Sequence, residues 1–191
     1  LNSISHMKFT YTTKDYSGSI EYTIVGEEVV GGEQCYKVEA IFVSTNYTQH
    51  GTLWISKSSG ECIKITLSYD GEEQTFTGQI AKMMGRGILV GLTPLIHYTD
   101  ITSSIVGTQV WPHGTVTWTF TTITISGQTF NAYVMEATIN PNDPMYTQSK
   151  ISKIIVKLAE LQPGKWFFVY GETQYTDGTS ARGEIVEITL K

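Results

Sequence analysis

The stretch Thr115-Val116-Thr117-Trp118-Thr119-Phe120-Thr121-Thr122-Ile123-Thr124-Ile125-Ser126-Gly127-Gln128-Thr129-Phe130-Asn131-Ala132-Tyr133-Val134-Met135-Glu136-Ala137-Thr138 decides the fold class. Val116, Trp118 and Phe120 fall on one side of a period of two and the threonines on the other, as in a strand with one buried and one wet face. Ser126-Gly127 supplies a turn, and Thr129 to Thr138 returns as the second strand of a hairpin.

The same grammar recurs outward from this hairpin. Ile20, Tyr22 and Ile24 alternate up to a Gly31-Gly32 turn, and Tyr36, Val38, Ala40 and Phe42 come back against Lys37, Glu39 and Ile41. Residues 51–56 lead through Lys57-Ser58-Ser59-Gly60 into 62–67, and Asp70-Gly71 turns that run into 73–79. A last hairpin joins 165–175 to 183–190 through Asp177-Gly178. The pattern predicts an all-β, mainly antiparallel fold: a single curved sheet or a β-sandwich of about ten to twelve strands, with little helix. Residues 79–84 have room for a turn or two of helix between Gly78, Gly85 and Gly87. Residues 145–160 fit either period, and the weight of Ile and Val favours a strand over 151–158.

The chain divides into a tail, 1–13, and one β domain, 14–191. Within that domain, hairpin units 19–80 and 115–190 are joined by the irregular stretch 85–114. The units echo one another, Tyr36-Lys37-Val38-Glu39-Ala40 matching Tyr133-Val134-Met135-Glu136-Ala137 after a glycine turn. Duplication explains the echo, and so does the common look of glycine-turned hairpins.

Of 191 residues only 16% are charged, against roughly 25% in an ordinary domain. The 27 threonines supply much of the missing polarity. A hydrophobic content of 40% with 12% aromatics excludes a disordered chain. A net charge of -5 with 13 Lys+Arg argues against nucleic acid as a partner. No apolar run is long enough for a membrane-spanning helix. The start at Leu1 and the piece Ser5-His6-Met7 fit a processed chain or a cloning remnant.

Chemistry is sparse. His6, His50, His97 and His113 show no metal-ligand spacing, and no G-x-S-x-G elbow occurs. Gly85-Arg86-Gly87-Ile88-Leu89-Val90-Gly91 lacks the βαβ context of a dinucleotide loop. Glu27-Glu28 and Glu72-Glu73 point to opposite faces of a strand, so neither pair suits acid/base work on one substrate. Asn140-Pro141-Asn142-Asp143-Pro144 reads as a proline-bracketed turn rather than a calcium loop. These features predict a non-enzymatic protein with no metal and no cofactor. Cys35 and Cys62, both in strands, leave a cross-strand disulfide and two buried free thiols equally open. Asn46-Tyr47-Thr48 makes Asn46 a glycosylation candidate, and with the hydroxyl-rich composition it points to an extracytoplasmic, secreted or cell-surface protein.

Two functions suit this chain. The first is a structural subunit forming a homo-oligomer or pilus-like filament by donor-strand complementation. Leu1, Ser3 and Ser5, alternating ahead of Phe9 and Tyr11, would be the donor strand. The second is an apolar face, carrying Trp54, Phe76 and Trp118, that holds a lipid or acyl chain beneath a lid of Met83, Met84 and Ile88-Leu89-Val90. The runs Tyr22 to Val38 and Leu53 to Gly60 (a strand, a glycine turn, a returning Tyr strand, then a Trp strand and another glycine turn) resemble LolA-type lipoprotein carriers. The resemblance covers residues 9 to 79 and lies in the grammar of hairpins. It implies a strongly curved antiparallel sheet with a hydrophobic concave face and a carrier or sensor of a hydrophobic ligand. The sequence departs from that family in showing no clear lid helices.

Overall fold

The computed structural model describes residues 4–69, 71–90, 97–98, 106–140, 142–144 and 150–190. The strands are β1 (Ile4–Thr12), β2 (Ser17–Val30), β3 (Glu33–Ser44), β4 (Tyr47–Ser56), β5 (Cys62–Tyr69), β6 (Glu72–Thr77), β7 (His97–Tyr98), β8 (Gly107–Trp111), β9 (Gly114–Ile125), β10 (Gln128–Ile139), β11 (Ile151–Gln162), β12 (Lys165–Tyr175) and β13 (Ser180–Leu190). One helix, α1 (Gly78–Val90), occurs among the described residues. The fold is therefore all-β and antiparallel. It falls into two compact units: Leu1–Thr10, Ser17–Thr93 and Val186–Lys191 form unit 1, and Tyr11–Tyr16 with Pro94–Ile185 form unit 2.

In unit 1 the strands run in the order β6-β5-β4-β3-β2-β1-β13, and the cross-strand rows alternate in chemistry. Thr23, Glu39, Thr52, Thr66 and Thr75 stand opposite one another on one face. Ile24, Val38, Leu53, Ile65 and Phe76 form the neighbouring row on the other. Val38, Leu53 and Ile65 are almost fully buried. At about 1.5–3 kcal/mol for each such side chain, this row anchors the unit.

β1 takes its place between β2 and β13 of its own chain. His6 Nδ1 meets Thr23 Oγ1 at 3.1 Å, and Lys8 Nζ lies 3.9 Å from both Glu21 and Glu187, which flank it on the two neighbouring strands. Ile4 and Met7 are buried, so Ser5-His6-Met7 is an integral part of the sheet. Of the donor-strand candidates, Ser5, Phe9 and Tyr11 lie in β1, which has β2 and β13 of the same chain as its neighbours. Leu1 and Ser3 lie outside the described residues.

In unit 2 the order is β13-β12-β11-β10-β9-β8, with β7 paired to β12. The decisive hairpin is β9 with β10, and its turn places Ser126 at φ 51° and Gly127 at φ 77°. Gly31 and Gly32, at 60° and 85°, do the same between β2 and β3. Two successive positive φ values are what a two-residue hairpin turn needs to match the twist of its strands. The run over 151–158 is a strand and extends through Gln162. The Asn140 to Pro144 segment closes as a turn: Asp143 N donates to Asn140 O at 3.0 Å, and the Asp143 carboxylate holds His113 Nδ1 at 2.6 Å.

The two cysteines are free thiols. Cys35 stands opposite Ser56 and Cys62 opposite Ile55, so β4 lies between them. Two strand spacings come to roughly 9.5 Å, beyond the roughly 7 Å that a disulfide spans.

Candidate functional site

A groove in unit 1 gathers apolar side chains where α1 meets the edge of the sheet. It has a volume of about 290 Å³ and is lined by Gln49, Leu67, Glu72, Gln74, Phe76 and Met84. That is near the lower end of the roughly 300–1,000 Å³ typical of ligand pockets.

α1 is built from good helix formers, Gln79 to Met84, followed by a glycine that sets how closely it can dock. Ala81 and Gly85, four apart, share the face turned to the sheet, and both are buried. A Cβ at Gly85 would collide with the Cβ of Cys62 on β5. Sequence reasoning took Gly85 and Gly87 as the end of any helix, yet the helix runs through both. Close packing at Gly85 offsets the roughly 1 kcal/mol that a mid-helix glycine costs. Lys82 Nζ, 2.5 Å from Glu61 Oε2, ties the helix to the turn before β5.

Burial under the helix pushes the Cys62 thiol up to about 11. Burial, followed by the charge of Glu33, also raises Cys35. Both therefore stay protonated and unreactive near neutrality.

The sheet contributes the row Tyr22, Ala40, Gly51, Leu67 and Gln74. A Cβ built at Gly51 would lie 3.0 Å from Leu67 Cδ2 and 3.6 Å from the ring of Phe42. The glycine thus lets Leu67 and Phe42 fold down over the backbone, which sets the position of the groove wall.

The expected ligand residues do not all converge. Phe76 and Met84 meet in the groove, whereas Met83 points away and is 72% exposed. Trp54 lies in the row Lys37, Trp54, Lys64 and Thr77, next to the threonine row on the opposite face. Its indole is only 6% exposed: Lys37 and Lys64 place their ammonium groups 5.7 and 4.0 Å from the ring centroid, and Nε1 donates to Glu28 Oε2 at 2.9 Å. The two lysine stems cover a tryptophan on the wet side, and Trp54 is not among the residues lining the groove. Trp118 belongs to unit 2, opposite Gly107 and Met135. The side chains of Ile88-Leu89-Val90 lie outside the described residues. Leu67, Gln49 and Gly51 were missed. Leu67 was visible in the alternation of β5, but which residues oppose it depends on register, which the sequence leaves open.

Unit 2 presents a different surface. Tyr133 lies 4.6 Å from Trp166 and 5.1 Å from Phe120, centroid to centroid, with Leu158, Trp118, Val156 and Phe168 packed alongside. The polar row on its other face carries Thr108, Thr117, Glu136, Ile155, Glu172 and Arg182. There Tyr170 donates to Glu172, which also accepts from Gln174; these bonds lower the Glu172 carboxyl, while burial and Glu172 push the Tyr170 hydroxyl up to about 12. Asn46 is exposed in the two-residue turn between β3 and β4. Among the described residues no group of three or more His, Cys, Asp or Glu side chains is placed to hold a metal ion, and no helix is long and apolar enough to cross a membrane.

No family model and no curated protein matches the chain. Among solved structures, the chain is similar to one in the complex of Pseudomonas aeruginosa MucA and MucB, at 11% identity and a TM-score of 0.42, covering 98% of this chain and 51% of that one. A second structure, MucB in complex with MucA(peri), matches at 14% identity and a TM-score of 0.35, covering 100% and 50%. A DUF1329 family protein from Desulfovibrio piger matches at 8% identity and a TM-score of 0.29, covering 99% and 85%. The chain spans about half the length of the first two of these.

Proposed function

We propose that this chain is a non-enzymatic, extracytoplasmic carrier or sensor of a hydrophobic ligand, binding an acyl chain or comparable apolar group in the groove between α1 and the β4–β6 edge of unit 1. The observation that carries this reading is the meeting of Phe76, Leu67 and Met84 around about 290 Å³ of space beside an otherwise sealed aliphatic core. The helix gives the groove a wall that does not belong to the sheet, so the groove can adapt to an occupant without breaking ladder hydrogen bonds. The weakly charged, threonine-covered opposite face suits a protein working outside the cytoplasm. Binding of Nile red, a neutral apolar dye, tests the proposal. Native protein is expected to bind it, and Met84→Glu to weaken binding by about tenfold or more, since a carboxylate would then face the apolar wall. Equal affinity in the two proteins, with circular dichroism showing both folded, would overturn the reading.

A further inference from the structure

We infer that the groove sorts its ligands by headgroup, accepting single-chain amphiphiles with an ammonium or hydroxyl head and disfavouring those that end in a carboxylate. This rests on the groove being the ligand site. β6 contributes Phe76, Gln74 and Glu72, which alternate along the strand onto one face and all line the groove. Phe76 stands opposite Ile65, Gln74 opposite Leu67 and Glu72 opposite Tyr69, so polarity rises steadily along one direction of the sheet. Four residues of strand advance about 13 Å, which sets the distance from the apolar end to the carboxylate. Met84 of α1 and Leu67 of β5 add to the apolar part, and Gln49 of β4 adds a second amide.

Among the described lining residues the only charge is negative. Among the described residues no lysine, arginine or histidine side chain lines the groove. Lys82, on the same helix as Met84, is held by Glu61, and Lys64, the cation of β5, lies over the Trp54 ring on the opposite face. Glu73 belongs to the polar hollow on that other face. A fatty-acid carboxylate whose tail lay against Phe76 would therefore bring its charge to Glu72, with no cation among the described lining residues to offset it. An ammonium head would pair with Glu72, and a hydroxyl head would hydrogen-bond to the Gln49 and Gln74 amides. At an exposed rim the difference is of the size that changes affinity a few-fold.

Displacement of Nile red from the full chain at pH 7 by decylamine, decanol and decanoate, each below its micellar concentration, tests the inference. Decylamine and decanol are expected to displace the dye at a concentration a few-fold lower than decanoate. Glu72→Lys is expected to reverse the order of decylamine and decanoate, each read relative to decanol on the same variant. Equal displacement by all three, or an order that Glu72→Lys does not alter, would overturn headgroup selection while the groove reading stands. Failure of the native chain to bind the dye would overturn both.

Discussion

The two units use the same hairpin grammar to make opposite kinds of apolar face. In unit 1 the row Tyr22, Ala40, Gly51, Leu67 holds two small residues in its middle strands, and a helix with its own small seam lies at the sheet edge. In unit 2 the corresponding row, Phe120, Tyr133, Leu158, Phe168, is large at every position, and the rings pack on one another. Side-chain volume, not strand pattern, decides whether such a face keeps room for an occupant or fills itself. A period-two reading cannot separate the two cases, because Ala, Gly, Leu and Phe are all simply inward-facing in it.

This contrast can be broken from either side. Tyr133→Ala removes the ring that touches both Phe120 and Trp166 and is expected to cost about 3 kcal/mol in urea unfolding, while Nile red binding below the transition is retained. A parallel loss of dye binding would show that the two faces do not act separately. Gly85→Leu forces α1 off Cys62 and is expected to cost about 2 kcal/mol, abolish dye binding and expose Cys62 to a thiol reagent. Unchanged Cys62 labelling would mean the helix is not held at that contact.

A third effect is specific to the helix-covered thiol. The folded Cys62 pKa, about 11, lies above the ordinary 9.0, so the folded state favours the neutral thiol. Its contribution to stability is whole below pH about 9 and fades as the pH rises through about 11. The native chain is therefore expected to lose more stability than Cys62→Ala between those pH values, and equal losses would remove the burial argument. The smallest effect concerns the two turns. Ser126→Gly should stabilise by about 0.5–1 kcal/mol, because a non-glycine residue there sits at positive φ, and Gly32→Ser should destabilise by a similar amount.

Much of the fold was legible because strand alternation and turn chemistry agreed at nearly every hairpin, and the excess of Ile and Val correctly outweighed the helical period over 151–158. The helix was harder to see. Its glycines look like breakers locally, and the use of Gly85 is explained by Cys62, more than twenty residues earlier in the chain. Of the candidate groove, Phe76 and Met84 were legible because a bulky apolar residue beside a short helical run is conspicuous. Trp54 lies apart from that groove for a physical reason: residue type does not reveal a face, and two flanking lysines can cover an indole on the wet side. The N-terminal segment was read as a strand without a home, since nothing in its sequence shows that Glu21 and Glu187 stand ready on either side.

The threonine rows carry one more consequence. Thr66 and Thr75, Thr108 and Thr117, and Thr124 and Thr129 stand directly opposite one another, with hydroxyl oxygens 2.9, 3.0 and 3.4 Å apart. Had these pairs been Lys and Glu, brine or acid would loosen them, the first by screening and the second by protonation. Hydroxyl pairs respond to neither, so a sheet whose surface is held this way keeps its cohesion as ionic strength and acidity fluctuate around it.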